Sequence, residues 1–325
     1  MAHRKTVILG NGILRVQTRE STFNRSWEQI LKELSEKYSV PLNDLSQKPL
    51  TLVFEKIRLQ LIRNDQNPNL LLKDVARLTQ NSGTGTDLID VFSGLTKNTL
   101  TTNYGTFIEM GMGFRLPIRD KFNKIVDEKY YSLFRNETDQ KGKTVWRIHG
   151  QSDKPQSILL GYGQYAKYMG QVKDYLYKGI KFAGLNTVIR SPLMGKDPDF
   201  DFEKNTEIYS WIDIFLKDEL HIVGLGLDFS EIILWWLLSE KMNLQAKYPN
   251  KIGSVNYYSI ELPNTIKPVA QQCVRAMLRD LGVNVIEVEV PSYEIGYRKI
   301  ADLLKPDLYR RTKNDDLAYI RKLVN

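Results

Sequence analysis

Short apolar runs that stop at glycine or at polar residues recur along the chain, with helical segments between them. The first run covers residues 6–9 (TVIL) and stops at Gly10, and residues 27–34 then follow Ser26 with helical spacing. Fully apolar, β-branched runs of this kind are typical of parallel strands that are covered on both faces. Because parallel strands are joined by crossover helices, the alternation predicts an α/β fold.

Later segments repeat the pattern and extend it to a full sheet. Predicted strands lie at residues 98–104, 144–150, 219–226, 255–260 and 283–290. We expect one domain over residues 1–325, a Rossmann-like parallel sheet with helices on both faces and an inserted helical module. The predicted core comprises about 1–36, 98–112, 144–160 and 217–325, and the predicted helical insertions comprise about 37–97, 113–143 and 161–216. Residues 113–143 carry no strand signal.

Composition limits the chemistry that this fold can carry. The chain has 325 residues, enough for a large core, but one cysteine and three histidines. These counts exclude a disulfide framework and a cysteine-based zinc module, nearly exclude a structural zinc site, and leave carboxylates as the ligands that metal catalysis would need. Cys273 stands at helical spacing from Val269 and Met277, which predicts buried packing for all three side chains.

The charge balance favours anionic partners. Lysine and arginine number 46 against 38 aspartates and glutamates, which gives a net charge of +8. No basic stripe interleaved with aromatic residues appears, so nucleic acid is not indicated as a partner. The start of the chain does not resemble a signal peptide, and the longest apolar run, residues 232–238, is far shorter than a membrane span. We therefore expect a cytoplasmic protein with no membrane partner.

Residues suited to binding a nucleotide stand at the ends of four predicted strands. Two of these ends are glycine turns, residues 10–12 (GNG) and 224–226 (GLG), where the missing Cβ allows close approach of a phosphate backbone. Asn103 and His149 end two others. An amide can donate and accept hydrogen bonds with ribose hydroxyls, and an imidazole can take a proton near neutral pH. Taken one at a time, each of these glycines, Asn103 and His149 could equally serve only to form a turn or to pack in the core.

The order of these motifs resembles the sirtuin-like (silent-information-regulator) NAD-binding family, specifically its bacterial antiphage-defence branch. Residues 7–12 (VILGNG) are similar to the family's first strand and glycine loop. Residues 100–104 (LTTNY) resemble its Thr-x-Asn motif, and residues 148–150 (IHG) resemble its His-Gly motif. Residues 221–228 (HIVGLGLD) resemble its late glycine strand. The resemblance spans nearly the whole chain.

The resemblance implies an NAD glycohydrolase. Such an enzyme cleaves the nicotinamide–ribose bond of NAD to give nicotinamide and ADP-ribose, and it acts in antiphage defence by depleting NAD. Asn103 would orient the ribose hydroxyls or the attacking water, and His149 would accept a proton from one of them. NAD is then the substrate and no metal takes part. The implied partners are further copies of the chain, or a separate activating protein such as a ring ATPase.

Eight further residues at or beside strand ends are expected to bind NAD: Gly10, Asn11, Gly12, Thr102, Tyr104, Gly224, Gly226 and Glu261. The turn at residues 10–12 would hold the pyrophosphate through backbone N–H groups. The turn at residues 224–226 would lie near the adenosine half, and Glu261 would contact the adenine ribose.

Two departures from the family bear on the alternative functions. Gly105 stands where the family carries an aspartate that helps to hold nicotinamide. The missing carboxylate favours a second hypothesis, that the protein is a non-catalytic NAD or ADP-ribose sensor or assembly module. The four-cysteine zinc module of the deacylases is absent, which argues against the third reading, protein deacylation.

Overall fold

A seven-stranded, mostly parallel sheet forms the centre of the protein, and the predicted α/β fold is confirmed. The computed structural model describes residues 3–17, 25–42, 45, 48–80, 87–92, 94–115, 133–181 and 187–305. The strands of the sheet are β1 (Lys5–Leu9), β2 (Asn98–Thr101), β3 (Asn136–Thr138), β4 (Thr144–Arg147), β7 (Glu219–Val223), β8 (Val255–Glu261) and β9 (Asn284–Glu289). Two further strands, β5 (Ile180–Lys181) and β6 (Val188–Ile189), form a separate antiparallel pair.

The strand order places β1 at the centre of the sheet. The order is β3-β4-β2-β1-β7-β8-β9, in which β3 alone of these seven runs antiparallel to its neighbour. The chain moves outward from β1 to one side through β2 and β4, and to the other side through β7, β8 and β9. The carboxyl end of β1 is therefore a topological switch point, where open α/β sheets bind their ligands.

Helices cover both faces of the sheet. In the described residues they are α1 (Gly12–Gln17), α2 (Trp27–Lys37), α3 (Leu50–Arg63), α4 (Asn69–Thr79), α5 (Asp87–Asp90), α6 (Phe107–Gly111), α7 (Tyr162–Tyr177), α8 (Phe202–Asn205), α9 (Trp211–Lys217), α10 (Ile232–Lys247), α11 (Val269–Asp280) and α12 (Tyr293–Leu304). The predicted start of α2 is confirmed. The Ser26 hydroxyl accepts a hydrogen bond from the Gln29 N–H at 3.2 Å, and the Gln29 side chain accepts one from the Ser26 N–H at 2.7 Å. This is a capping box.

Side chains of β1 enter two different cores. Val7 and Leu9 point to a core shared with α1, α5, α6 and α12, whereas Ile8 points to a core shared with α7, α9, α10 and α11. Successive side chains of a strand leave opposite faces of the sheet, so a strand that is apolar at every position must be covered on both sides. The two cores are the physical reason for the three-layer arrangement.

A third apolar cluster joins helices α2, α3 and α4, which we call the helical module. It includes Ile57 and Val75 from the module, and Tyr104, Ile158 and Leu160 from segments that follow β2 and β4. The helical module therefore packs beside the carboxyl ends of these two strands. The predicted domain boundaries stay a prediction.

One expectation about local structure is wrong. Residues 113–143 contain β3, although no strand was expected there. β3 (NET) has no apolar alternation, and its formation depends on pairing with β4, in the register Asn136 to Trp146. The segment 161–216 contains the expected helices, α7, α8 and most of α9, together with the two-residue strands β5 and β6.

The expected burial of Cys273 is also wrong. Cys273 is exposed, and Val269 and Met277 are 74% and 44% exposed. α11 instead buries Val274 and Leu278, which are 4% and 0% exposed. Helical spacing of four residues occurs in both sets, so packing against β9 decides which of the two faces is covered. Among the residues that the structure describes, no helix has the length and the apolar character that crossing a membrane requires.

Candidate functional site

A cleft of about 1030 Å³ opens at the carboxyl end of β1. Its lining comes from the turn after β1, the segment after β2, the end of β4, the turn after β7 and the helical module. Segments that are far apart in the sequence meet here because parallel strands bring their carboxyl ends to one edge of the sheet. The volume is at the upper end of the range for small-molecule sites.

The cleft brings together eight of the ten predicted site residues: Asn11, Gly12, Thr102, Asn103, Tyr104, His149, Gly224 and Gly226. Gly10 and Glu261 do not line it. Glu261 is held elsewhere, because its Oε1 accepts hydrogen bonds from the Ser259 hydroxyl at 2.6 Å and from Arg275 Nη1 at 2.7 Å. Ser259, two residues earlier on β8, does line the cleft.

The two glycine turns pack directly against each other. The Gly10 N–H donates to the Val223 carbonyl at 2.9 Å, and the Gly12 N–H donates to the Gly224 carbonyl at 2.8 Å. A Cβ on Gly10 would lie 2.6 Å from Leu225 Cα, and one on Gly12 would lie 2.8 Å from the Gly224 oxygen. The glycines therefore permit contact between the turns, and both N–H groups are already engaged. A phosphate would have to meet other groups of the first turn.

Asn11 connects the first glycine turn to the segment that leads into the helical module. Its side-chain Nδ2 donates to the Arg25 carbonyl at 3.0 Å. Arg25 in turn pairs with Glu33 and donates to the Leu78 carbonyl at 3.3 Å. The cleft is thus closed on this side by α2 and α4. Arg15, which is exposed, adds a positive charge to the lining next to the same turn.

Asn103 is held in one orientation by the sheet. Its Nδ2 donates to the Thr101 hydroxyl oxygen at 3.1 Å and to the Leu9 carbonyl at 3.4 Å. The Thr101 hydroxyl also donates to the Leu9 carbonyl, at 2.8 Å. These bonds use the amide nitrogen, so that Oδ1 is the acceptor left for a ligand. An amide fixed in this way loses little entropy on binding.

His149 lies at the end of β4 and faces a glutamate that the sequence did not single out. Its Nε2 is 3.2 Å from Oε2 of Glu231, and its ring stands edge-on to Tyr165, with centroids 5.6 Å apart. Nε2 forms no hydrogen bond with any residue of the described part of the chain, and the two groups form an ion pair only when the imidazole is protonated. The next residue, Gly150, has φ +101°, a conformation that favours glycine.

Glu231 and Tyr165 are the site residues that sequence reasoning missed. The Tyr165 hydroxyl donates to Glu231 Oε2 at 3.3 Å, and burial together with this carboxylate raises the pKa of Tyr165. Burial and Glu231 also raise the pKa of Tyr104. The signal for Glu231 was its position directly before α10, just past the second glycine turn. Tyr165 carried no such signal, because it lies within a tyrosine-rich helix.

The far end of the cleft is aromatic. Tyr257, Tyr258, Tyr293 and Tyr297 line it together with Lys267. Burial raises the pKa of Tyr257 to about 12, so this phenol is neutral at physiological pH. The mixture of flat rings and a cation suits a planar, anionic ligand.

His221, on β7, does not line the cleft. Its Nδ1 is 3.0 Å from the Tyr258 hydroxyl, and its Nε2 is 3.2 Å from Glu219 Oε1. Burial, with a contribution from Lys5, lowers the pKa of His221 to about 4. His221 is therefore a buried, neutral histidine of the sheet and a natural control for His149.

No cluster of three or more histidine, cysteine or acidic side chains is placed to hold a metal ion among the residues that the structure describes. The chain matches no protein-family model, and a comparison with curated proteins finds no match. The functional assignment therefore depends on the cleft, its residues and the order of the motifs.

Proposed function

We propose that the cleft binds NAD and hydrolyses its nicotinamide–ribose bond. The observation that carries the proposal is the meeting of Asn103 and His149, from the ends of two neighbouring strands, in one cleft with both glycine turns. The sirtuin-like order of these motifs supports the same assignment. The cleft is also large enough for a dinucleotide, at about 1030 Å³.

The reaction requires few groups. The bond between ribose C1′ and the nicotinamide nitrogen breaks, and its electron pair leaves with nicotinamide as a neutral base. Positive charge develops on C1′ and the ring oxygen, as in other glycosidic cleavages. Water attacks C1′ and forms the new C–O bond, while its proton passes to His149. Asn103 Oδ1 accepts a hydrogen bond from a ribose hydroxyl or from this water and so holds the reacting atoms in place.

Glu231 and Tyr165 complete the chemistry of His149. The carboxylate beside Nε2 stabilises the imidazolium that forms when His149 takes the proton. The Tyr165 hydroxyl keeps Oε2 in position by donating to it. Arg15 and the net charge of +8 favour approach of the pyrophosphate, which carries negative charge.

A nicotinamide-release assay tests the proposal. It uses NAD, several protein concentrations, and the variants His149→Gln and His221→Gln. We expect His149→Gln to lower turnover by about 10²- to 10⁴-fold, because a positioned base contributes that much. His221→Gln, which changes a buried histidine outside the cleft, should retain turnover within about threefold. Equal turnover in His149→Gln and the unsubstituted protein would overturn the assignment.

Protein concentration is part of the design, because activation by self-assembly belongs to the proposal. Turnover per chain that rises with concentration indicates a homo-oligomer, and turnover that needs a second protein indicates a separate activator. In a bacterium, such an enzyme would deplete NAD during phage infection.

A second candidate function is a non-catalytic sensor of NAD or ADP-ribose. Gly105 lines the cleft and offers no carboxylate to nicotinamide, and this observation favours it. Calorimetry with NAD and with ADP-ribose separates the two functions. Binding of both ligands without nicotinamide release at any protein concentration would support the sensor.

A further inference from the structure

A buried arginine lies next to the turn that carries Asn103. Arg147, the last residue of β4, has a fully buried side chain and does not line the cleft. Its Nη1 donates to the carbonyl of Asn103 at 2.9 Å and to the carbonyl of Gly105 at 2.5 Å. Its Nη2 pairs with Oε1 of Glu109, near the start of α6. One guanidinium thus binds the backbone carbonyls of the residues on both sides of Tyr104.

The buried ion pair between Arg147 and Glu109 contributes little net free energy to the stability of the fold. Removing two charges from water carries a desolvation penalty that their attraction only partly offsets, and apolar replacements are often as stable. Glu109 is 1% exposed, and its Oε2 has no hydrogen-bond partner among the described residues. Arg147 Nε is likewise without one in that part of the chain. A pair that leaves two polar atoms unsatisfied is better explained by what it holds in place.

Arg147 connects the two proposed catalytic residues. It stands two positions before His149 on the same strand end, so its backbone and that of His149 move together. Its side chain reaches across to β2's carboxyl end and binds the carbonyl of Asn103 itself. Arg147 therefore adds a direct side-chain link between the Asn103 turn and the strand end that carries His149, and shifts of about 1 Å in such a geometry can cost about 100-fold in rate.

We propose that Arg147, oriented by Glu109, is a positioning residue that fixes the Asn103 turn relative to His149. This inference rests on the proposed function of the cleft. Arg147 touches no ligand and acts through the backbone of residues 103–105. Arginine suits the task because its planar fork offers several donors in fixed directions, whereas lysine offers a point charge on a flexible stem.

The test compares Arg147→Met and Arg147→Lys with Lys241→Met. Lys241 is a matched control, because it is also a buried basic side chain that donates to two backbone carbonyls, those of Leu216 and Asp218, away from the cleft. Two quantities are measured: kcat and KM for nicotinamide release, and hydrogen exchange of the peptide amides at residues 103–105 without ligand.

We expect Arg147→Met to lower kcat by about 10- to 100-fold with KM changed less than about threefold. Amide exchange at residues 103–105 should become at least about tenfold faster. Arg147→Lys should retain more of the kcat, and more of the protection of amides 103–105 from exchange, than Arg147→Met does. Lys241→Met should lower the melting temperature but leave kcat within about twofold, because a general loss of stability does not move the Asn103 turn.

The outcomes separate this inference from the proposed function. If the unsubstituted protein releases nicotinamide, unchanged kcat or unchanged exchange in Arg147→Met overturns the inference and leaves the function standing. If no form of the protein releases nicotinamide, at any concentration or with a separate activator, the function fails, and amide exchange alone still decides whether Arg147 fixes the turn. Should Arg147→Met not fold, Glu109→Gln takes its place, with faster exchange at residues 103–105 expected and unchanged exchange overturning the inference.

Discussion

His149 and Glu231 face each other at the cleft, with Nε2 of the imidazole 3.2 Å from Oε2 of the carboxylate. His149 lies two residues past the end of β4, and Glu231 precedes α10 on the other side of β1. The Tyr165 hydroxyl approaches the same oxygen at 3.3 Å, so three side chains from three separate segments meet here. The carboxylate of Glu231 therefore lies directly beside the imidazole that we propose as the catalytic base.

Glu231→Gln should therefore impair the proposed reaction. The substitution keeps the shape of the side chain but removes the charge that faces His149. We expect nicotinamide release to fall by about 10- to 100-fold at neutral pH. Glu240→Gln is the matched control, because Glu240 accepts a hydrogen bond from Tyr177 between the same two helices, α10 and α7, but on the exposed surface. Similar rates in the two variants would exclude a role for Glu231.

Gly10→Ala should destabilise the fold, whereas Gly226→Ala should not. A Cβ on Gly10 would overlap the Gly224 carbonyl and lie 2.6 Å from Leu225 Cα, and both are backbone atoms that cannot turn away. A Cβ on Gly226 would meet no atom within 4 Å. We expect the free energy of unfolding in urea to fall by roughly 1–3 kcal/mol or more for Gly10→Ala and by less than about 0.5 kcal/mol for Gly226→Ala. Equal losses would contradict the packed turns.

Lys241 should make the protein more stable as the pH rises above neutral. Burial lowers the pKa of Lys241 from 10.5 to about 7. Between these values the unfolded chain binds a proton that the folded chain lacks, so the free energy of unfolding increases with pH. From pH 7 to pH 9.5 we expect a gain of roughly 1–3 kcal/mol. Urea titrations at the two pH values measure it.

The control for this pH dependence lies on the same helix. Lys241→Met should abolish the gain, because the titrating group is gone. Lys247→Met changes an exposed lysine of α10, and this variant should retain the gain in the free energy of unfolding. A gain that persists in Lys241→Met would show that another group titrates.

Cys273 should react readily with thiol reagents in the folded protein. It is the one cysteine of the chain and is exposed on α11. We expect one equivalent of Ellman's reagent to react in native buffer at a rate within about tenfold of that in denaturant. Cys273→Ser should give no reaction. Strong protection that is lost on dilution would mean that another molecule covers this face of α11 in solution.

Much of the sheet could be predicted from local sequence. The runs that became β1, β2, β4, β7, β8 and β9 are rich in β-branched, aliphatic or aromatic residues, and glycines or polar residues follow most of them. The end of a strand is where parallel sheets bind ligands, so Asn103 and His149 could be placed near each other before their distance was known. Ser26 likewise marked the start of α2 through its hydroxyl.

Contacts between distant segments could not be predicted in this way. β3 forms only because β4 offers it an edge, and α11 buries Val274 rather than Cys273 because of how it packs on the sheet. The N–H groups of Gly10 and Gly12 donate to carbonyls of a turn that lies more than 200 residues further along the chain.

The sequence by itself determined the fold class and the edge of the sheet where a ligand would bind, since strand propensity and chain reversal depend on neighbouring residues. Tertiary structure alone decided that Glu231 faces His149 and that Arg147 holds the carbonyl of Asn103. The physical reason is that strand order and crossover packing, which involve the whole chain, set the distances between side chains from separate segments.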